Sequence, residues 1–264
     1  MQIAIFSDVH GNLTALEAVL DDIARREGLE QIIFAGDLCL GGPRPQECLN
    51  LVRQRRLPTV VGNTDEWVIQ PPPIEANMDA SERQKWEQVA AVSKWTRGQL
   101  DHESLAWLDE NRTVPERRIS PTVNPQDDLL VVHANPQDLN QIIFPPPAQQ
   151  EELYGQVRQS DQELGLLLQG LVMGVLAFGH LHVPNLRRWQ DLLLVNISSV
   201  SLPGDGDPRA KYAILTWDGG WSAEHIFVDY DWSAEAEAFR HRQPPGWEDA
   251  VRKIEEQGLI PQVV

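Results

Sequence analysis

The chain opens on an apolar run, residues 2 to 7, that breaks at Asp8-Val9-His10-Gly11-Asn12. A run this short, stopped by polar residues and a glycine, predicts a strand. Leu13, Leu16, Val19, Leu20 and Ile23 then recur at spacings of three and four. That spacing lines one face of a helix, with Asn12 or Thr14 as its cap. The same order follows twice more. Residues 31 to 35 predict a second strand, ending at Gly36-Asp37-Leu38-Cys39, with a helix over 46 to 56. Thr59-Val60-Val61 predicts a third strand, ending at Gly62-Asn63-Thr64-Asp65. Strands alternating with helices predict an α/β sandwich built on parallel pairs.

The pattern changes over residues 66 to 115. Three prolines, Pro71 to Pro73, precede a polar stretch in which Trp86, Val89, Val92, Trp95, Leu100 and Leu105 form an apolar stripe. This reads as a helical insertion over the site, inside a single domain spanning 1 to 264, or as an ordinary pair of surface helices. Strands resume at 117 to 123 and 128 to 132, the second ending in His133-Ala134-Asn135-Pro136. A helix is predicted for 149 to 169 and a strand for 175 to 178, running into Gly179-His180-Leu181-His182. Residues 185 to 197 read as a hairpin; 212 to 216 and 225 to 228 read as two strands joined through Asp218-Gly219-Gly220. Helices near 233 to 241 and 247 to 257 complete the chain.

Composition narrows the function more than the fold. Hydrophobic residues are 42% and charged residues 23%, ordinary for a globular protein. The formal net charge of −17 weighs against a sequence-independent nucleic-acid binder, because phosphate backbones are held by Lys and Arg. Two cysteines, Cys39 and Cys48, exclude a disulfide scaffold. The start of the chain lacks the basic region of a signal peptide, and no stretch nears the ~18 apolar residues of a membrane span. A cytoplasmic protein with no membrane association is expected. The sequence sets no oligomeric state.

The candidate chemistry lies where the predicted strands stop: Asp8 and His10, Asp37, Asn63, His133, and His180 with His182. In α/β sheets, sites gather at strand ends. Mixed hard oxygen and imidazole nitrogen suits Mn, Fe, Zn, Ni or Co better than Ca or Mg. Seven donors are too many for one tetrahedral ion and suit two ions sharing a carboxylate. His180 and His182 share a face if the strand continues through them. In a loop beyond the strand they can be aimed at different targets.

The series Asp8-x-His10, Gly36-Asp37, Gly62-Asn63-x-Asp65, His133 and Gly179-His180-x-His182 resembles the calcineurin-like metallophosphoesterase superfamily. Asp8-Val9-His10-Gly11-Asn12 with Thr14-Ala15-Leu16-Glu17-Ala18-Val19, and the late stretch Asp205 to Ala213, resemble its bacterial YfcE-like phosphodiesterase branch. The resemblance implies a four-layer fold, two sheets flanked by helices. It implies that Asp8, His10 and His182 hold one divalent ion, that Asn63, His133 and His180 hold a second, and that Asp37 bridges them. Manganese is the expected metal, with Fe, Zn, Ni or Co as alternatives. A hydroxide shared by the ions would attack a small phosphorylated substrate. Asp37, Asn63 and His133 are assigned to catalysis, and Asn63, Thr64 and Asn12 to substrate contact. The expected activity is phosphoester hydrolysis, of phosphodiesters first. Phosphomonoesters, phosphoproteins and dinucleoside polyphosphates are alternatives within the same chemistry, and a non-catalytic scaffold is the alternative outside it.

Several positions depart from the family pattern. Thr64 stands where many relatives carry a histidine that helps protonate the leaving oxygen, which points to substrates whose leaving group needs little protonation. Asn196-Ile197-Ser198-Ser199-Val200 is expected near the metals, with Asn196 or Ser199 behind the ligands, or as a solvated turn. Arg209 is expected to pair with an aspartate of its own loop, Asp65 to orient Thr64 or a water, and Cys39 to be inert. His102, His225 and His241 match no motif and are expected at the surface.

Overall fold

The structure is a computed structural model describing residues 1–257. Strand β1 (Gln2–Phe6) pairs in parallel with β2 (Gln31–Phe34), with Ile5 opposite Ile33. Helix α1 (Leu13–Ala24) makes the crossover between them, and its buried residues are Ala15, Leu16, Val19, Leu20 and Ile23. Asn12 caps it by accepting a hydrogen bond from the Ala15 amide at 2.9 Å. Helix α2 (Pro45–Gln54) starts with a proline, whose missing N–H costs nothing at a helix start.

Residues 59 to 61 do not make a full strand. One parallel bridge joins Thr59 to Phe34, and the Val61 amide turns away to the carbonyl of Val114. Helix α3 (Asn63–Ile69) then begins directly at the expected strand end, so Asn63 occupies a first helical turn. Helices α4 (Ala80–Gln99) and α5 (His102–Asn111) follow, each capped by an aspartate, Asp79 and Asp101.

The second sheet has the order β3-β4-β5-β7-β6. Its strands are β3 (Glu116–Ile119), β4 (Leu129–Val132), β5 (Val175–Phe178), β6 (Asn185–Trp189) and β7 (Leu192–Asn196). Strand β3 stops four residues before the 123 expected from sequence, where the chain leaves for a short 3₁₀ turn at Pro125–Asp127. The single helix expected over 149 to 169 is two: α6 (Pro147–Tyr154) and α7 (Asp161–Leu167). Gly155, at φ +69°, ends the first. Ser160 and Glu163 form a capping box that starts the second. That Ser-x-x-Glu signal is present in the sequence.

Strands β8 (Ala210–Trp217) and β9 (Trp221–Val228) return to complete the first sheet as β2-β1-β8-β9. Helices α8 (Trp232–Arg242) and α9 (Trp247–Gln257) follow. Alternation along the strands sorts the core into layers. Ile3 and Ile5 of β1 pack with Val131, Ala177 and Val195 of the other sheet. Ala4 and Phe6 face the opposite way, into α1 and α2. Likewise Leu130, Leu176 and Leu194 face Leu164 and Leu168 of the α7 region. Helices, sheet, sheet and helices form four layers. Strands buried on both faces explain the unbroken apolar runs in the sequence.

Candidate metal centre

The chain ends of β1, β2 and β5 line one pocket of about 130 Å³, and the end of β4 brings His133 beside Asp37. Three glycines let them approach. A Cβ on Gly179 would lie 2.1 Å from Ser7 Oγ and 2.3 Å from Asp8 Oδ2; one on Gly62 would lie 2.0 Å from Asp37 Oδ1. Gly36, at φ +95°, packs its backbone against His133, where a Cβ would meet Nδ1 at 2.8 Å.

Asp8, His10, Asp37, His180 and His182 all have φ between +48° and +65°. Left-handed backbone is uncommon outside glycine, costs energy, and clusters at functional sites. Here it turns five side chains out of the strand direction and into the pocket. Strand β5 stops at Phe178, so His180 and His182 lie in the loop beyond it and point to different clusters.

Two clusters result. Asp8, His10 and His182 offer donor atoms within 4.8 Å of one another, and so do Asp37, His133 and His180. Asn63 adjoins the second, its Oδ1 lying 2.9 Å from His133 Nε2. Asp37 stands between them: its Oδ2 is 3.7 Å from His10 Nε2 and 3.3 Å from His133 Nε2.

Three imidazoles have their tautomer fixed from behind. His10 Nδ1 donates to the carbonyl of Leu40 at 2.9 Å, His133 Nδ1 to Ala35 at 2.9 Å, and His180 Nε2 to Asn140 at 3.1 Å. A carbonyl only accepts, so the other nitrogen of each ring is the one presented to the cluster. Sequence reasoning could not find these supports, because each is a backbone carbonyl, legible only once folded. His10 Nε2 is fully buried and has no hydrogen-bond partner. Burying such an atom unpaired is costly unless something binds it. The donor set and this orphaned nitrogen fit two divalent cations.

The electrostatics agree. Burial works against an ionised Asp37, but the His133 imidazole outweighs it and holds the carboxyl far below its ordinary range. Asp8 is likewise held low, with burial opposing and His182 prevailing. Burial would lower the His133 pKa, yet Asp37 drives it up to about 10. Burial lowers His10, and lowers His180 to about 4, so both are neutral at pH 7.

The Asp65 carboxylate is turned to backbone amides and not to the Thr64 hydroxyl. Its carboxylate accepts backbone N–H bonds from Asp37 and Leu38 at 2.8 Å and from Gly62 at 3.1 Å, locking the two loops together. Burial and the nearby Asp37 raise its pKa to about 7 against those three donors. Thr64 lines the pocket, and its amide donates to Asp37 Oδ1 at 3.0 Å. Asn12 does not line it: Asn12 is buried as the cap of α1.

Asn196 and the serines after it are buried, not a solvated turn. Asn196 Nδ2 donates to the Gly179 carbonyl, while Ser199 Oγ donates to the Asp8 carbonyl at 2.9 Å. Arg209 pairs with Asp207 of its own loop. Cys39 is buried, its thiol pKa raised by burial. His225 is not a free surface histidine; its Nε2 donates to the Asn196 carbonyl at 2.7 Å, holding β9 to the end of β7.

A structure of a metallophosphoesterase from Sphaerobacter thermophilus is similar over 98% of this chain and 99% of that one, with 27% identity and a TM-score of 0.71. The hypothetical protein PH1004 from Pyrococcus horikoshii OT3 shares the fold over 96% of this chain and 97% of its own, at 16% identity and a TM-score of 0.73. An uncharacterized protein of Methanocaldococcus jannaschii, MJ0912, is 28% identical over 262 residues, covering 93% of this chain and 94% of the relative. The family model described as calcineurin-like phosphoesterase superfamily domain matches residues 1–220, and the chain belongs to that superfamily of hydrolases.

Proposed function

We propose that the protein is a two-metal phosphodiesterase in which Asp8, His10 and His182 hold one ion, Asn63, His133 and His180 hold the other, and Asp37 is shared. The observation that carries this is the position of Asp37, with one carboxylate oxygen within 4 Å of an imidazole from each cluster while His10 Nε2 lies buried beside it without a partner. Bound divalent ions would supply a water activated at neutral pH and neutralise charge on the phosphate. Mn²⁺ is the first ion to test, and Fe, Zn, Ni and Co suit the same donors.

The residues of the chain do the rest. The Leu40, Ala35 and Asn140 carbonyls aim the imidazoles, and Asp65 fixes the Asp37 loop. The pocket wall contains no Lys or Arg, and Leu40, Ile142, Leu181 and Leu202 supply apolar surface. A diester carries one negative charge and a second substituent, and suits such a wall better than a dianionic monoester. Thr64 offers no ionisable proton, so a leaving group stable as an anion is preferred.

The test is hydrolysis of bis(p-nitrophenyl) phosphate against p-nitrophenyl phosphate by Mn²⁺-loaded protein, with bound metal measured in parallel. We expect the diester to be faster, and Asp37→Asn to lose metal and activity together. Full activity and full metal content in Asp37→Asn would overturn the assignment. A rate that is flat across phenyl leaving groups of graded pKa would overturn the reading of Thr64.

A further inference from the structure

Beside the metal pocket lies a second cavity of about 510 Å³, which shares Asn63, Ile142, His180 and Leu181 with it. Its far wall comes from two segments outside the metal motifs. Lys85 and Trp86 come from α4; Tyr154 and Arg158 come from the end of α6 and the turn after it. No Asp or Glu lines it, in a chain of net charge −17. Among the described residues, Lys85 and Arg158 have no carboxylate partner. Their charged groups lie over aromatic rings instead: Arg158 at 4.6 Å from the Tyr154 centroid and Lys85 at 5.8 Å from that of Trp86.

The wall is prebuilt. Trp86 meets Trp67 edge-on with centroids 5.5 Å apart, and Tyr154 meets Phe144 edge-on at 5.9 Å. The turn that carries Arg158 is fixed by the buried Gln150, whose Oε1 accepts from the Arg158 and Gln159 amides at 2.7 and 2.9 Å. Gln150 Nε2 donates to the carbonyls of Pro145 and Gln159. A buried amide making four such bonds holds one backbone conformation.

Resting on the phosphoesterase reading of the adjoining pocket, we propose that this cavity holds the leaving half of the substrate and that this half is a nucleoside phosphate. Aromatic faces stack on a base of any sequence. Unpaired cations with no carboxylate nearby bind an anion. A volume of this size suits a small ligand. Thr64 bears on the linkage: a phosphate leaving group needs no proton at neutral pH. The bond broken is then the P–O bond of a phosphoanhydride. A water would add its oxygen to the phosphorus and give up a proton to solvent, where Asp8, His10, Asp37, Asn63, His133, His180 and His182 would hold the ions. The nucleoside phosphate leaves with the bonding pair on its own oxygen. The attacked phosphorus, with two substituents and one charge, resembles that of a phosphodiester.

The test is calorimetric titration of the full Mn²⁺-loaded chain with adenosine monophosphate, ribose 5-phosphate and inorganic phosphate. Adenosine monophosphate should bind at least about tenfold more tightly than ribose 5-phosphate, which has the same phosphate without the base. Trp86→Leu should erase most of that advantage, and Arg158→Gln should weaken the nucleotide about tenfold. Arg158 is exposed, so that variant should fold; unchanged melting temperatures check both. A nucleotide that binds no more tightly than ribose 5-phosphate, or that ignores both substitutions, overturns the proposal. The phosphoesterase reading fails separately, through absent turnover of bis(p-nitrophenyl) phosphate, which this binding measurement does not require.

Discussion

Asp37 and Arg158 border the same cleft and are held there in opposite ways. Asp37 is 2% exposed, sits on left-handed backbone, and has its carboxylate and amide tied to two other segments of chain, the Thr64–Asp65 turn and His133. Arg158 is exposed, its head group lies over the face of Tyr154, and what is rigid about it is the turn beneath, pinned by Gln150. The floor of the cleft is made by strand ends packed so closely that a single methyl group does not fit. The wall is made by helices and turns whose side chains reach inward from solvent. Changes to the floor should therefore cost structure and chemistry together, whereas changes to the wall should alter what binds and leave the scaffold alone.

The largest effect that would sharpen this contrast is Gly179→Ala. Its Cβ would overlap Ser7 and Asp8, so the loop must shift and Asp8 with it. We expect loss of bound metal, a rate lower by about 10²-fold or more, and destabilisation of about 1–3 kcal/mol. Metal analysis, kinetics and thermal melting measure the three. Normal metal content in this variant would break the description of the floor as close-packed.

Asp65→Asn comes next. The amide keeps one acceptor oxygen where three backbone N–H groups converge, leaving buried donors short of a partner. A loss of about 1–3 kcal/mol is expected in chemical denaturation, with weaker metal binding as the Asp37 loop loosens. Arg158→Gln in the wall should leave the denaturation midpoint where it is.

Protonation separates floor from wall as well. With its pKa at about 10, His133 carries a proton at pH 7 in the metal-free protein, while His180 at about 4 is neutral. A metal must displace the His133 proton. Titration with Mn²⁺ in two buffers of different ionisation heat should thus show release of about one proton from His133. Affinity should rise as pH increases toward about 10, because the competing proton is lost in that direction. Affinity that is level between pH 6.5 and 9 would contradict the pairing of His133 with Asp37.

The smallest expected effect lies away from both. Glu235 of α8 is fully buried against Arg44 and Thr14, and burial raises its pKa. Arg44 reaches partly to solvent, so it tolerates losing the charge of its partner. Glu235→Gln should change stability by no more than about 1 kcal/mol and leave turnover unaltered. A larger loss would make this ion pair part of the framework behind the His10 loop.

Legibility in the sequence follows the same division. Strands β1, β2, β4 and β5 could be read because burial on both faces leaves short apolar runs, each cut off by a glycine or a polar residue. Six of the seven candidate donors lie just beyond those runs and could be collected for the same reason, while Asn63 follows the shorter run Thr59-Val60-Val61. Two helices in place of one over 147 to 167 could have been foreseen from Gly155 and Ser160-x-x-Glu163, which the apolar spacing outweighed. Asn12 was legible as a cap, and its absence from the pocket lining was not, because a residue next to a motif on the chain need not face the same cavity. His225 and Asn140 matched no pattern, since each pairs with a residue distant in sequence, and Gln150 matched none because its partners are backbone groups of the turn it holds, placed only by folding.

The sequence by itself determined the order of the elements and the chemical identity of the donors, because both depend on local alternation and on residue type. Only the tertiary structure decided which donors share a cluster, which carbonyl fixes each imidazole, and that α4 and the turn after α6 form one wall. Those are relations between segments tens to hundreds of residues apart, set by how two sheets pack and by glycines that admit a backbone where no side chain would fit.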